Sequence, residues 1–105
     1  MSTDAWTAIA DPTRRGILAR VTRQPLSVTE IADGLTTTRP NVSQHLRVLR
    51  DAGLVKVQAV GTKRIYSARP EGLAALRTEL EQFWTEALST FKERAESSHR
   101  ERTTP

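Results

Sequence analysis

The stretch from Thr36 to Val55, TTTRPNVSQHLRVLRDAGLV, carries side chains that could recognise the edges of nucleic-acid bases. Val42, Leu46 and Leu49 recur at helical spacing, which predicts a helix with one buried side. A polar arc of about 100° lies opposite them. It consists of Pro40, Ser43, Gln44 and Arg47. Arginine can donate to guanine, glutamine can pair with adenine, serine can bond a base or a phosphate, and proline can cover a thymine methyl. The alternative interpretation is an ordinary solvent-facing helix surface.

Positive charge is concentrated around the same helix. The chain holds 16 Lys and Arg against 12 Asp and Glu, a net charge of +4. Residues 1–70 hold 11 basic against 5 acidic side chains, whereas residues 71–91 hold 1 against 4. Within residues 39–64 the cations are opposed only by Asp51. A regional excess of this kind attracts polyanions, so it favours a nucleic acid as the partner.

The composition argues against an enzyme or a metal protein. There is no cysteine, and His45 and His99 are far apart in the sequence. No glycine-rich phosphate loop and no pairing of a nucleophile with a base is evident, so we expect neither catalysis, nor a cofactor, nor a metal site. The N-terminus lacks the features of a signal peptide, and no window approaches the roughly 18 apolar residues of a membrane span. We therefore expect a cytoplasmic protein without a membrane partner.

The pattern along the chain predicts one domain followed by a short tail. Helices are predicted at residues 4–10 and 13–23, after Ser27, after Thr38 and at residues 71–95. Ser27 opens a capping box with Glu30, and Thr38 is a suitable N-cap. The runs VKVQAV and KRIYSA, separated by GT, predict a β-hairpin that would pair Val57 with Tyr66. Residues 96–105 are polar and unpatterned, and we predict that they form a disordered tail.

Two short helices joined by a tight turn and followed by a hairpin with a basic tip are typical of a winged helix-turn-helix. We predict a mainly helical (α+β) fold of about five helices with a two-stranded wing, in which residues 1–95 form the DNA-binding and dimerisation domain. The second helix of such a pair enters the DNA major groove by its N-terminal end. Outside the polar arc, the candidate contacts are Arg39, Asn41, His45 and Arg50 on this helix, and Lys63 and Arg64 at the wing tip. For His45 we favour a packing or phosphate-contact role over a ligand role.

The run LSVTEIADGLTTTRPNVSQHLRVLRDAGLVKVQAVGTKRIYSARPEGL, preceded by ADPTRRGIL, resembles the ArsR/SmtB family of bacterial winged-helix repressors. The resemblance covers about residues 4–91. It implies a homodimer joined by the first and last helices, recognition helices in adjacent major grooves, and repression by occupying a promoter. The interface residues on those two helices would be Trp6, Ile9, Leu76, Leu80, Phe83, Trp84, Leu88 and Phe91.

The chain departs from the metal-sensing members of that family. Those members place cysteines at the third helix or near the N-terminus, or His and carboxylate pairs along the last helix. Here the third helix reads SVTEIADG without a thiol, and residues 71–95 contain no histidine. The resemblance to the family therefore does not extend to metal sensing. Arg69 also stands where family members commonly have an acidic cap. The resemblance therefore does not determine the residue at which the last helix begins.

Three alternatives stay open. The winged helix could be a protein-interaction module without a DNA target, although the basic region at 39–64 argues against it. The protein could be a sensor repressor gated by a metal or by a small organic molecule lodged near Trp6, Phe83 and Trp84. The aromatic residues of the first and last helices could instead fill the core of a monomer.

Overall fold

The computed structural model describes residues 4–103, and it describes side chains through His99. The elements in chain order are α1 (Ala5–Ala10), α2 (Pro12–Arg23), α3 (Val28–Asp33), α4 (Arg39–Asp51), β1 (Val55–Val60), β2 (Lys63–Ala68) and α5 (Pro70–Thr103). The two strands form an antiparallel hairpin. Within the described residues the fold is mainly helical, with five helices and a two-stranded wing, which confirms the predicted fold class.

The first four helices each start at a side chain that accepts a hydrogen bond from the backbone N–H three residues later. These N-caps are Asp4, Asp11, Ser27 and Thr38, and their donor–acceptor distances are 2.8, 2.8, 3.2 and 3.3 Å. Glu30 completes the predicted capping box, because its carboxylate accepts from the Ser27 N–H at 3.0 Å. A cap of this kind contributes about 0.5–2 kcal/mol, so the starts of these helices are determined locally.

The core lies where α2, α3 and α4 pack against the base of the hairpin. It contains the predicted apolar stripe of α4, together with residues from every other element except α5. Its buried members are Ala8, Ile17, Leu18, Val21, Leu26, Ile31, Val42, Leu46, Leu49, Leu54, Val55 and Tyr66. Each fully buried aliphatic side chain contributes about 1.5–3 kcal/mol, so this cluster holds α4 in place.

The wing is fastened to the core by a short pairing outside the hairpin. Gly61 has a φ of +64° in the two-residue turn, and the register pairs Val57 with Tyr66, as predicted. Tyr66 also exchanges two backbone hydrogen bonds with Leu26, at 2.9 and 2.8 Å. The segment between α2 and α3 is therefore joined to β2 by an isolated antiparallel β-bridge.

The start of α5 is held by backbone groups. The Arg69 carbonyl accepts hydrogen bonds from the N–H groups of Gly72 and Leu73, at 3.1 and 3.2 Å. The Arg69 N–H donates to the carbonyl of Leu54 at 2.8 Å, and its Nε lies 3.6 Å from a carboxylate oxygen of Glu71. The residue that replaces an acidic cap therefore still seats the helix beside the turn that follows α4.

The end of α5 differs from the prediction. The helix does not end at residue 95 but continues to Thr103, through most of the segment predicted as a disordered tail; residues 104–105 lie outside the described residues. No glycine or proline occurs between Gly72 and Pro105, so nothing in the sequence stops the helix. At about 1.5 Å per residue, its 34 residues span about 51 Å. No helix in residues 4–103 combines the length and the apolar character needed to cross a membrane.

Candidate nucleic-acid interface

The two sides of α4 have opposite environments. Val42, Leu46 and Leu49 have 0% of their surface exposed. The whole polar arc faces solvent. The side chains suited to base recognition are therefore accessible on a helix whose other side is fixed in the core.

The first turn of α4 is tied to the loop before it. The side-chain amide of Asn41 donates to the hydroxyl of Thr37 at 2.6 Å, and its backbone N–H donates to the hydroxyl of Thr38 at 3.3 Å. Arg39 and Pro40 are exposed at the N-terminal end of the helix. The dipole of a helix N-terminus favours an anion, and the neighbouring Arg39 adds a full positive charge.

A groove of about 500 Å³ separates α4 from the wing. Its lining is Ser43, Leu46, Arg47, Arg50, Asp51, Arg64 and Tyr66. Three guanidinium groups from two different elements thus border one concavity, in which Asp51 is the acidic lining residue. Guanidinium groups bind phosphate oxygens in pairs of parallel hydrogen bonds, so this groove is suited to a nucleic-acid backbone.

The two basic residues of the wing tip differ in the grooves that they line. Lys63 lies in a second groove of about 360 Å³, beside the start of α3, whose other lining residues are Ser27, Val28, Thr29, Glu30, Thr62 and Arg64. Hydrogen bonds from Ser27 hold the pKa of Glu30 below its ordinary value, and the charges of Lys63 and Arg20 lower it further. Arg64 borders both grooves, whereas Lys63 lines the groove beside α3 and is not among the residues that line the groove beside α4.

His45 faces the body of the domain. It is half-buried, and its Nδ1 accepts a hydrogen bond from Nε of Arg14 on α2 at 3.4 Å. Beside this pair, the backbone N–H of Arg14 donates to Asp11 and lowers the pKa of that carboxyl, and the charge of the Arg14 guanidinium lowers it further. The prediction for His45 was a packing or a phosphate-contact role, and its contact with Arg14 lies within the domain. Among the residues the structure describes, no group of three or more His, Cys, Asp or Glu side chains is placed to hold a metal ion.

Asp51 and Tyr66 line the groove although neither was among the predicted contacts. Two spacings in the sequence could have identified them. Asp51 follows Arg47 by four residues and so lies on the same side of the helix. Tyr66 follows Arg64 by two residues and so lies on the same face of the strand.

The residues predicted for a dimer interface form an exposed apolar surface on α1 and α5. Trp6 is 42%, Phe83 62%, Trp84 55% and Phe91 73% exposed, so these aromatics do not fill the core of the described chain. Leu80 and Leu88 are also exposed, whereas Ile9 and Leu76 are half-buried against the core. Exposed apolar side chains that cluster on neighbouring elements are typical of surfaces through which proteins contact other molecules.

Comparison with known proteins identifies relatives over most of the chain. A helix-turn-helix domain family matches residues 9–58, which hold α2, α3 and α4. The HTH-type transcriptional regulator Rv2034 of Mycobacterium tuberculosis is 50% identical over 93 residues, which are 89% of this chain and 87% of that protein. An ArsR-like transcriptional regulator from Rhodococcus sp. RHA1 superposes with a TM-score of 0.71 at 30% identity, over 84% of this chain and 86% of that one. The homodimeric winged helix-turn-helix DNA-binding domain of Mb0332 from Mycobacterium bovis superposes with a TM-score of 0.62 at 26% identity, over 76% and 74%.

Proposed function

Because this chain belongs to the ArsR/SmtB family of winged helix-turn-helix transcriptional regulators, we propose that it is a homodimeric repressor that binds an inverted-repeat operator. The observation that carries the proposal is the division of α4 into a fully buried side and a solvent-facing polar arc. A helix that is fixed on one side and lined with hydrogen-bonding groups on the other can enter a major groove without rearrangement.

In the proposed complex the polar arc reads the bases. Arg47 donates to O6 and N7 of a guanine, and Gln44 pairs with N6 and N7 of an adenine. Ser43 bonds a base or a phosphate, and Pro40 lies against a thymine methyl. Each side chain is exposed on the first two and a half turns of α4, which is the end that reaches base edges in a helix-turn-helix.

The residues around the arc bind the sugar–phosphate backbone of the DNA in the proposed complex. Arg39 and Asn41 flank the first turn of α4, and Arg50 shares the groove beside the wing with Arg64. Lys63 extends the positive surface to the tip of the wing, on the other face of the strand. Contacts of this kind set the position of a protein on the duplex and make its affinity depend on salt.

Two copies are needed to place two such helices on one operator. The apolar surface of α1 and α5 is the proposed contact, and Mb0332, which superposes on this chain, is homodimeric. In a two-fold dimer the recognition helices occupy half-sites roughly 34–36 Å apart, so the operator is an imperfect inverted repeat. Occupation of that operator would exclude the transcription machinery from the promoter, and the proposal places the protein in the cytoplasm with its DNA.

Selection of bound sequences from random duplex DNA by the purified protein tests this proposal. We expect enrichment of an inverted repeat whose half-site centres lie about 10 base pairs apart. We also expect an affinity that falls steeply as salt rises. Salt-dependent binding without any enriched sequence would overturn base recognition by α4. Absence of binding to every duplex would overturn the proposed function and leave the alternative of a winged helix used for protein interaction.

A further inference from the structure

The guanidinium of Arg20 connects α2 to the end of α3. Its Nη1 donates to the carbonyl of Ile31, and its Nη2 donates to the carbonyl of Glu30 at 3.1 Å. Both carbonyls belong to the last four residues of α3, whose carbonyl groups have no α-helical partner within the helix. Arg20 lies in the last turn of α2 and is half-buried. A side chain of one helix therefore completes the hydrogen bonding at the end of the next.

Gly34, the C-cap of α3, leaves the space that this guanidinium occupies. A Cβ atom built on Gly34 would lie 2.6 Å from Nη1, 2.7 Å from Cζ and 2.8 Å from Nη2 of Arg20. The backbone itself does not require glycine here, because a φ of −92° and a ψ of 3° are those of the third residue of a type I turn, which most residues can adopt. An alanine at this position would therefore displace the guanidinium of Arg20 from the end of α3.

The turn that starts at Gly34 leads directly to the helix proposed to read DNA. Residues 34–38 join α3 to α4, and Thr38 at the end of this turn is the N-cap of α4. At the start of the turn, the N–H of Gly34 donates to the carbonyl of Ile31 at 3.2 Å. This carbonyl is one of the two that accept from Arg20. The hydrogen bonds of Arg20 therefore hold the end of the turn that lies opposite the N-cap of α4.

We propose that Arg20 is a positioning residue for DNA recognition, which holds the turn between α3 and α4 in the conformation that presents the N-terminal end of α4 to the bases. Arg20 itself does not touch the DNA, because its guanidinium is bound to carbonyl groups of α3. The core fixes the body of α4, whereas its first turn also depends on the turn before it. Loss of the Arg20 hydrogen bonds lowers the fraction of the protein that is ready to bind. This inference rests on the proposed function.

Binding titrations of the selected operator and of a random duplex with Arg20→Ala test this role. We expect the operator affinity to fall about three- to tenfold, as the binding-competent fraction falls to between about a third and a tenth. The slope of log affinity against log salt should stay the same, because no phosphate contact is lost. Arg23→Ala removes the same charge from an exposed position in the same turn of α2, and it should leave the operator affinity unchanged. An unchanged operator affinity for Arg20→Ala, equal losses in the two variants, or a lower salt slope for Arg20→Ala would overturn the proposal.

Gly34→Ala tests the same role while the charge of Arg20 is kept. Because the added methyl group displaces the guanidinium, Gly34→Ala should lower the operator affinity about as much as Arg20→Ala does. The double variant should bind no more weakly than Arg20→Ala, since the methyl group no longer meets the guanidinium. Additive losses in the double variant would show that the two residues act independently, and would overturn the proposal.

Urea denaturation of the same four proteins, at one fixed protein concentration, separates this inference from the proposed function. We expect Gly34→Ala to lower the urea midpoint of the parent but not that of Arg20→Ala. Coupled midpoints without any change in operator affinity would overturn the positioning role. A parent protein without sequence preference for any duplex would overturn the proposed function instead, and the midpoints would still decide whether Arg20 and Gly34 hold the same turn.

Discussion

The carbonyl oxygen of Gly53 occupies the space in which a side chain at Gly72 would begin. A Cβ atom built on Gly72 would lie 1.9 Å from that oxygen, far inside van der Waals contact. Gly53 itself has a φ of +78°, in the region that glycine adopts most easily. Two glycines thus let the start of α5 pass directly over the turn that ends α4. The helix proposed to carry the dimer contact is therefore seated on the end of the helix proposed to read DNA.

We expect Gly72→Ala to destabilise the protein by about 1–3 kcal/mol, because the added methyl group forces α5 away from Gly53. Gly16→Ala is the matched control. Gly16 is also helical, but a Cβ atom at that position would have no neighbour within 4 Å, so alanine should stabilise by about 0.5–1 kcal/mol through helix propensity. Urea denaturation at one fixed protein concentration measures both. Stabilisation by both substitutions would show that α5 does not need the close approach.

The capping carboxylates predict a loss of stability in acid. Hydrogen bonds to Ser27 hold the pKa of Glu30 below its ordinary value of 4.5, and hydrogen bonds to Thr7 and Arg14 hold those of Asp4 and Asp11 below 3.8. A pKa that is lower in the folded than in the unfolded state contributes stability above the unfolded value, and that stability is lost as the pH falls through the folded value. We therefore expect the free energy of unfolding to fall as the pH decreases below about 4.5.

Glu30→Gln should remove part of this dependence, because the amide can accept the same hydrogen bond but does not titrate. Chemical denaturation at a series of pH values measures the slope for the parent and for the variant. Glu86→Gln, in the middle of α5, controls for the loss of one negative charge. A slope that is unchanged in Glu30→Gln would show that the capping box does not contribute to acid unfolding.

Substitutions in the polar arc of α4 and at the wing tip should have different effects on DNA binding. Arg47→Ala or Gln44→Ala should reduce the affinity for the selected operator by about 1–3 kcal/mol and relax the base preference at one position. Lys63→Ala should weaken binding to operator and random duplexes alike, and should lower the slope of log affinity against log salt by about 1. Binding titrations over a salt series measure all three. Equal losses on operator and random DNA for Arg47→Ala would contradict base recognition by this residue.

The exposed stripe of α5 should hold the dimer together. Phe91 is 73% exposed, so Phe91→Glu removes little from the core of one subunit but places a charge in the proposed contact. We expect it to shift sedimentation towards the monomer mass and to weaken operator binding by at least about tenfold, since each half-site would then be bound separately. Ser89→Glu adds the same charge on the opposite side of α5 and should remain dimeric. Identical sedimentation of the two variants would place the contact elsewhere.

Interactions between residues that are close in the sequence determined most of the secondary structure. The predicted N-caps at Ser27 and Thr38 bond backbone groups three residues away, so their effect can be predicted without knowing the fold. Helical spacing separated the buried side of α4 from its polar arc, and the two-residue turn at Gly61 fixed the hairpin register. Interactions within a few residues have nearly the same geometry in every protein, which is why these predictions agree with the structure.

Tertiary structure decided how these parts meet. The pairing of Leu26 with Tyr66, the passage of Gly72 over Gly53, and the hydrogen bond from Trp6 to Glu79 join residues that are far apart in the sequence. Such contacts depend on the angles and distances between packed elements. The residue pattern of a single element does not determine those angles and distances. The same reason explains why Arg64 borders the groove beside α4 while Lys63 lies beside α3. The sequence determined which side chains could bind a nucleic acid, and packing decided which of them share one surface.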